Sequence, residues 1–215
     1  IRMFKERLPQ DKYLLLYLSD SKLTPRWLYS GLLYQMGLEA KFYRGDSKRR
    51  LQKAIADVRS GSSRKVICIL DEAHLLDKET LEEFRFLLNY QFDSESPMAL
   101  ILVGQKELWE QKLRLQSYTA IRQRIEMTIV LERLDRAEVH KYIAAHMSYS
   151  GCPSEVFTSD AEEEIYKVSS GIPRMINRIC EKTLLYAYQQ QKRLIDGYMV
   201  RYVADHEILQ VKDVS

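Results

Sequence analysis

A run of five apolar residues, followed at once by two carboxylates, constrains this chain more than any other stretch. Residues 66–70 read Val-Ile-Cys-Ile-Leu, and Asp71 and Glu72 follow directly. The run is too short to span a membrane, and three of its residues are β-branched, which is typical of a strand buried on both faces of a parallel sheet. Because ligands bind at the carboxyl edge of such sheets, we expect both carboxylates to lie at a binding edge.

The two carboxylates have complementary uses at such an edge. Mg²⁺ prefers oxygen ligands and keeps several waters beside substrate phosphates, which suits Asp71. Glu72 leaves the strand in a different direction and is suited to orient and deprotonate an attacking water. The pair is similar to the Walker B element of P-loop NTPases. A strand that ends in a solvated acidic turn is the plainer explanation, and the motif alone does not exclude it.

Three further stretches have the pattern of strands, and connections of helix length separate them. Residues 13–18 and 98–103 are continuous apolar runs, whereas residues 125–131 alternate and predict a fourth strand nearer an edge. Strands separated by helices predict an α/β fold, with a parallel sheet that carries helices on both faces.

Capping residues mark where the helices begin. Thr24 precedes Pro25, an N-cap residue followed by proline at the first helical position. Residues 106–113 predict a further helix, and the helix after it is expected to carry Arg122 and Arg124.

The hydrophobic period changes in the second part of the chain. Asp135 and Glu138 have the spacing of a capping box, and no strand pattern follows them. We therefore predict an α/β domain over residues 1–133 and an all-helical domain over residues 134–215.

Composition narrows the class of protein only slightly. The chain has 33 Lys and Arg against 30 Asp and Glu, so its net charge of +3 permits nucleic-acid contact without indicating it. No apolar run approaches the length of a membrane span and no signal peptide is apparent, so we expect a cytoplasmic protein. The three cysteines lack Cys-x-x-Cys spacing and the four histidines lack metal-ligand spacing with them, so neither a disulfide nor a zinc site is expected.

An α/β core with an acidic strand end, followed by a helical lid, resembles the layout of AAA+ ATPases. In that family sensor 1, a polar residue at the end of the neighbouring strand, reaches the γ-phosphate or water, and Gln105 stands at that place. A turn glutamine is the plainer explanation. The family places an arginine finger before its edge strand, where Arg122 and Arg124 stand. A solvated arginine pair is the alternative, and the sequence does not decide which of the two would act.

The segment Gly171-Ile172-Pro173-Arg174 is the most specific of these elements. Glycine closes one helix, proline opens the next, and Arg174 falls in the first turn, where the helix dipole disfavours a cation. This placement suggests that Arg174 serves something other than its own helix. Sensor 2 of AAA+ proteins reads Gly-x-Pro-Arg and reaches the nucleotide.

These elements in this order resemble the ExeA-like AAA+ ATPases, also called general secretion pathway protein A-like, and their relatives among transposon-encoded ATPases of the TniB and TnsC type. The resemblance covers essentially the whole chain. The segments that carry it are Leu23-Thr24-Pro25-Arg26, Leu70-Asp71-Glu72-Ala73-His74, Leu87-Leu88-Asn89, Leu102-Val103-Gly104-Gln105 with Glu107-Leu108, Arg122-Gln123-Arg124-Ile125, Gly171-Ile172-Pro173-Arg174 and Arg193-Leu194-Ile195-Asp196.

The resemblance implies a P-loop NTPase (AAA+) core with a C-terminal all-helical lid, and hydrolysis of ATP with Mg²⁺. It implies that Asp71 holds the metal, that Glu72 activates water and that Gln105 senses the γ-phosphate.

The arginines and partners are implied in the same way. Arg174 would act within the subunit and Arg122 or Arg124 on the nucleotide of a neighbouring subunit, so a homo-oligomer is expected. DNA, a transposase or a secretion-system partner are the further partners that the resemblance implies.

The chain departs from the family at its start. The Walker A loop, Gly-x-x-x-x-Gly-Lys-Ser/Thr, whose amides and lysine hold the phosphates, does not occur in the sequence. Residues 1–8 have the composition of the helix that follows such a loop, so we expect the loop to lie upstream of Ile1. Lys106 also stands where the family usually has proline. We therefore expect poor ATP binding by residues 1–215 alone, and ATP hydrolysis by the parent protein.

Two other functions remain open. A non-catalytic adaptor with a degenerate nucleotide site would bind DNA or a transposase through the helical domain and through basic patches. One candidate patch is the helix face that carries Lys48, Arg49, Arg50 and Lys53, which is most simply a solvated face. An RNA helicase of the Asp-Glu-Ala-His type fits less well, because the helical remainder cannot provide the second RecA-like domain.

Overall fold

The computed structural model describes residues 1–20, 23–88, 97–152 and 155–208, without the side chains of Phe86 and Ile208. The chain divides into two compact units, Ile1–Thr128 and Ile129–Ser215. That the first unit is a nucleotide-binding core and the second a lid stays a prediction. None of the helices in the described parts of the chain is long and apolar enough to cross a lipid bilayer.

The first unit alternates strands and helices. Its elements are α1 (Arg2–Arg7), β1 (Tyr13–Leu18), α2 (Pro25–Gln35), α3 (Arg44–Ser62), β2 (Lys65–Leu70), α4 (Lys78–Leu88), β3 (Met98–Leu102) and α5 (Thr119–Arg122), with short 3-10 turns at Ala73–Leu75 and Gln116–Tyr118 and a π-type turn at Leu108–Leu113. The predicted strands at residues 13–18, 66–70 and 98–103 are confirmed to within one residue. Asn89, which belongs to the resemblance, lies outside the described residues.

The three strands form a parallel sheet in the order β1-β2-β3. Leu16 of β1 pairs with Cys68 of β2, which pairs with Leu100 of β3. Cys68 is fully buried, and every residue of β2 after Lys65 is buried as well. The central strand is therefore covered on both faces, as its apolar run predicts.

The fourth strand predicted at residues 125–131 is wrong. This segment is irregular, and Met127, Ile129 and Leu131 are 75%, 72% and 90% exposed. A strand needs a neighbour for its backbone hydrogen bonds, and within the described residues β3 pairs with β2 alone. The alternating pattern shows that the segment could form a strand, but no described segment pairs with it here.

Two further details differ from the predicted helices. The helix predicted at residues 106–113 is a π-type turn that begins only at Leu108, because Gly104 and Gln105 leave β3 in an irregular loop. Helix α5 ends at Arg122, so Arg124 lies beyond it rather than on it. The predicted start of α2 is confirmed, since the backbone N–H of Trp27 donates to Thr24 Oγ1.

The second unit is helical, with its own core. Its helices are α6 (Arg136–Tyr149), α7 (Ser159–Ser169), α8 (Pro173–Gln189) and α9 (Gly197–Val203), followed by a π-type turn at Ala204–Ile208. Asp135 and Glu138 form the predicted capping box, with reciprocal hydrogen bonds of 2.8 and 2.9 Å. Ile165, Ile179 and Val200 are fully buried in the core of this unit.

Candidate functional site

Asp71 lies at the carboxyl edge of the sheet, directly after β2. Its backbone N–H donates to the carbonyl oxygen of Leu18 and so continues the pairing with β1. Its Oδ2 atom accepts a 2.8 Å hydrogen bond from the hydroxyl group of Tyr17, and its Oδ1 atom accepts a 3.0 Å bond from the N–H of Glu72. The half-buried carboxylate is therefore fixed in orientation by two donors.

Tyr17 is held as a neutral phenol by this contact. Its hydrogen bond to Asp71 raises the pKa of the phenol, and the nearby charges of Asp71 and Glu72 act in the same direction. Tyr17 therefore remains a hydrogen-bond donor to Asp71 throughout the neutral pH range.

Glu72 adopts a left-handed backbone conformation, with φ of 54°. Such a conformation is uncommon for a residue with a Cβ atom and costs about 1 kcal/mol. It turns the chain so that the N–H of Ala73 donates a 2.8 Å hydrogen bond to the carbonyl oxygen of Val103, just beyond β3. The side chain of Glu72 is 52% exposed and extends from the sheet edge into solvent.

His74 connects Glu72 to the end of β3. Its Nδ1 atom lies 3.4 Å from Glu72 Oε2 and 3.4 Å from the backbone nitrogen of Gln105. According to which ring nitrogen carries the hydrogen, Nδ1 accepts from the N–H of Gln105 or donates to Glu72. Gly104 allows this close approach, because an added Cβ atom would lie 3.0 Å from the backbone nitrogen of His74.

The structure thus brings Asp71, Glu72 and Gln105 to one edge of the first unit. Arg122 is engaged elsewhere, because its guanidinium donates to the carbonyl oxygens of Leu113 and Arg114 at 3.0 and 2.8 Å. A third bond joins it to the hydroxyl group of Thr119.

Arg174 belongs to the second unit, where it is the second residue of α8 and is exposed. Within the described part of that unit its side chain makes no hydrogen bond or ion pair. The preceding Gly171 has a structural role, since φ is +71° and an added Cβ atom would lie 2.0 Å from the carbonyl oxygen of Leu134. Convergence of Arg174 with the acidic pair stays a prediction.

Sequence reasoning missed Tyr17 and His74. A tyrosine one position before the paired end of β1 is a signal for Tyr17, because parallel strands bring their ends to the same edge. His74 stands only two residues after Glu72, but its spacing resembles no metal-binding pattern, and its contact with Gln105 depends on the packing of β3.

The edge fits a hydrated Mg²⁺ ion better than a cation held by protein atoms alone. Among the residues that the structure describes, no group of three or more His, Cys, Asp and Glu could hold a metal. Mg²⁺ beside substrate phosphates needs only one or two carboxylates, because water and phosphate oxygens complete its shell. Each Asp71 oxygen accepts one hydrogen bond from the protein and retains a lone pair, which meets that requirement.

A parallel sheet with an acidic pair at the carboxyl edge of its central strand defines a P-loop NTPase type of core. Residues 1–111, more than half of the chain, match the family model described as AAA domain, and the chain therefore belongs to the AAA family. It is 29% identical over 153 residues to General secretion pathway protein A of Aeromonas hydrophila, a match that covers 71% of this chain and 27% of that protein. The chain thus spans about a quarter of the length of that relative.

Solved structures support the same fold. The Drosophila ORC structure bound to DNA is 18% identical with a TM-score of 0.65, and the match covers 94% of this chain and 48% of that one. The ORC2 protein of Aeropyrum pernix, in ADPNP-ADP complexes, is 13% identical with a TM-score of 0.66, and the match covers 100% of this chain and 58% of that one. Cdc6p from Pyrobaculum aerophilum is 13% identical with a TM-score of 0.65, covering 90% of this chain and 52% of that one. The predicted fold class, a parallel-sheet AAA+ core followed by a helical C-terminal region, is confirmed.

Proposed function

We propose that this chain carries the hydrolytic edge of an AAA+ ATPase that acts as a molecular switch or motor. The observation that supports this most is that Glu72 Oε2 and the backbone nitrogen of Gln105 each lie 3.4 Å from His74 Nδ1, at the sheet edge where two hydrogen bonds fix Asp71. Membership of the AAA family makes ATP the natural substrate for such an edge.

Each residue has a distinct task in this proposal. Asp71 binds Mg²⁺ through a carboxylate whose orientation Tyr17 fixes. Glu72 orients and deprotonates the attacking water, and its half-exposed carboxylate is accessible to water at the sheet edge. Gln105 contacts the γ-phosphate or the water. Mg²⁺-ATP supplies the phosphoanhydride bond that is hydrolysed.

The arginines complete the charge stabilisation. Arg174 acts within its own subunit, which agrees with its exposed position at the start of α8. Arg122 or Arg124 acts on the nucleotide of a neighbouring subunit, and Arg122 would have to release the carbonyl groups that it binds here in order to do so. Turnover would then require a homo-oligomer.

The decisive experiment is ATP hydrolysis by the protein with its own sequence upstream of Ile1. We expect a Gly-Lys-Ser/Thr loop there, steady ATP turnover, and little turnover by residues 1–215 alone. Glu72→Gln should retain ATP while hydrolysis falls about 100-fold or more, because general-base catalysis contributes that much. Unchanged turnover would remove Glu72 from its role. A start codon without the loop would favour the non-catalytic adaptor.

The proposed partners rest on the relatives of this chain rather than on the geometry of the site. The name of the Aeromonas relative supports a secretion-system partner, and the resemblance to transposon-encoded ATPases supports DNA or a transposase. Gene neighbours of this chain distinguish the two, because a transposase gene beside it favours transposition. The cytoplasmic location stays a prediction.

A further inference from the structure

Three exposed aromatic rings lie at the starts of α2 and α3 in the first unit. Trp27, in the first turn of α2, is 65% exposed, and Phe42 and Tyr43, directly before α3, are 76% and 70% exposed. Single exposed apolar residues are ordinary, whereas a cluster of large rings marks an interaction surface.

Arg26, which precedes Trp27 in the chain, connects the start of α2 to the Phe42 ring. The guanidinium carbon of Arg26 lies 5.7 Å from the centre of the Phe42 ring, at cation-π distance. Phe42 and Tyr43 meet edge to face, with their centres 5.1 Å apart. These contacts bring the start of α2 and the start of α3 to the same place. We call this set, Arg26, Trp27, Lys41, Phe42 and Tyr43, the aromatic surface.

The aromatic surface lies in a basic part of the chain. Residues 24–53 contain seven Lys and Arg against two Asp and Glu, whereas the whole chain has 33 against 30. Neither Arg26 nor Lys41, both exposed, forms an ion pair with a carboxylate among the residues that the structure describes in this unit.

Two of the nearby carboxylates are already engaged. Asp46 pairs with Arg49, and Glu79 lies 2.6 Å from Arg44. Glu39, in the preceding loop, is the other acidic residue of the segment. The aromatic surface therefore presents rings together with an excess of positive charge.

We propose that the aromatic surface binds single-stranded nucleic acid. Unpaired bases stack on exposed rings, while phosphates bind arginine and lysine, and this combination recurs in proteins that bind single strands without sequence preference. A second copy of this chain is a poor occupant, because a symmetric contact would bring two positive surfaces together. The proposal does not depend on ATP hydrolysis.

Tryptophan fluorescence tests the proposal on the chain itself. Trp27 and Trp109 are the tryptophans of the chain, so Trp109→Phe leaves Trp27 as the reporter. We expect an oligothymidylate to quench Trp27 emission, with an affinity that falls as salt rises because phosphate contacts release counterions. In this background Phe42→Ala and Arg26→Ala should each weaken binding about tenfold.

Matched variants and competitors make the outcome decisive. Tyr188→Ala removes a ring of the second unit that is 81% exposed, and it should leave the affinity unchanged. Circular dichroism should show all variants folded. The absence of quenching, or equal affinity in Phe42→Ala, would overturn the proposal. Duplex DNA or polyglutamate competing as well as the single strand would also overturn it, because neither offers unstacked bases. The proposal would also be overturned if Phe42→Ala or Arg26→Ala changed the oligomeric state of the protein and this change accounted for the loss of binding.

Discussion

The hydroxyl group of Tyr17 donates a 2.8 Å hydrogen bond to Asp71 Oδ2, so β1 supplies a direct partner for the carboxylate that ends β2. The bond raises the pKa of Tyr17, because a charged acceptor stabilises the neutral phenol. The same bond fixes the carboxylate that we propose as the Mg²⁺ ligand. The orientation of Asp71 is therefore set by the neighbouring strand as well as by its own.

Asp71→Asn should lower the pKa of Tyr17 toward the ordinary tyrosine value of about 10. The substitution removes both the charged acceptor and its field. NMR titration of ring-labelled tyrosines measures this, with Tyr17→Phe identifying the signal. Glu72→Gln is the control, because Glu72 contributes only through its charge and is the smallest of the causes. A Tyr17 pKa that is unchanged in Asp71→Asn would contradict the contact.

The sheet was predictable from sequence because each strand is a short apolar run in its own right. β2 is buried on both faces, so its residues are apolar without alternation, and the acidic pair then marks the carboxyl end. Residues 125–131 show the limit of such reasoning. Their alternation is a local property, whereas strand formation depends on a neighbour that no local pattern reports.

The site was predictable only in part, for a similar reason. Asp71, Glu72 and Gln105 stand at strand ends, and parallel strands bring their ends together. The role of His74 depends on the left-handed backbone of Glu72 and on the close approach of Gly104, which appear only in three dimensions. The two arginines near residue 123 look alike in sequence, and only the packing shows that Arg122 binds carbonyl groups.

Glu83 joins three helices of the first unit in a buried polar cluster. It is 7% exposed, accepts a short hydrogen bond from the hydroxyl group of Tyr29, and lies 3.0 Å from Lys48 Nζ. Burial raises the pKa of Glu83, but the hydrogen bonds and charges of its partners outweigh burial, so its pKa lies below the ordinary value. The cluster connects α2, α3 and α4.

Glu83→Ala should lower the free energy of unfolding of the first unit by about 3 kcal/mol, because it removes the buried carboxylate that Tyr29 and Lys48 share. Urea unfolding followed by tryptophan fluorescence measures this, since Trp27 and Trp109 both lie in the first unit. The control is Glu79→Ala, whose side chain is 65% exposed and pairs with Arg44, and which should cost less than about 1 kcal/mol. Equal losses in the two variants would contradict the role of burial.

The same cluster predicts how stability depends on pH. A carboxyl group with a lowered pKa when folded stabilises the protein above the unfolded value, about 4.3 for glutamate, and loses that contribution as pH falls through the folded pKa. The stability difference between the wild-type chain and Glu83→Ala should therefore be constant near neutral pH and shrink below about pH 4. A difference that grows on acidification would contradict the lowered pKa of Glu83.

Gly171 and Gly151 offer a matched comparison of backbone strain with steric overlap. Both have positive φ, of +71° and +79°, but an added Cβ atom meets Leu134 O at 2.0 Å in one case and open space in the other. Gly151→Ala should cost about 1 kcal/mol through strain alone. Gly171→Ala should cost about 3 kcal/mol, because the backbone at Leu134 must also move.

Hydrogen exchange of amides in the second unit measures these losses, because that unit contains no tryptophan. We expect faster exchange throughout α6 and α8 in Gly171→Ala, and a much smaller change in Gly151→Ala. Similar exchange rates in both variants would show that the approach of Leu134 does not constrain Gly171.

Arg122 should behave as a structural residue. Arg122→Ala removes hydrogen bonds to the carbonyl oxygens of Leu113 and Arg114 and to the Thr119 hydroxyl group. We expect the free energy of unfolding of the first unit to fall by about 2 kcal/mol, because hydrogen bonds that involve a charged group contribute that much. The control is Arg114→Ala, which removes an exposed side chain but keeps the carbonyl acceptor, and it should change stability by less than about 0.5 kcal/mol. Urea unfolding followed by tryptophan fluorescence decides the matter: if Arg122→Ala leaves stability unchanged, its guanidinium does not depend on those carbonyl groups, and Arg122 remains a candidate finger beside Arg124.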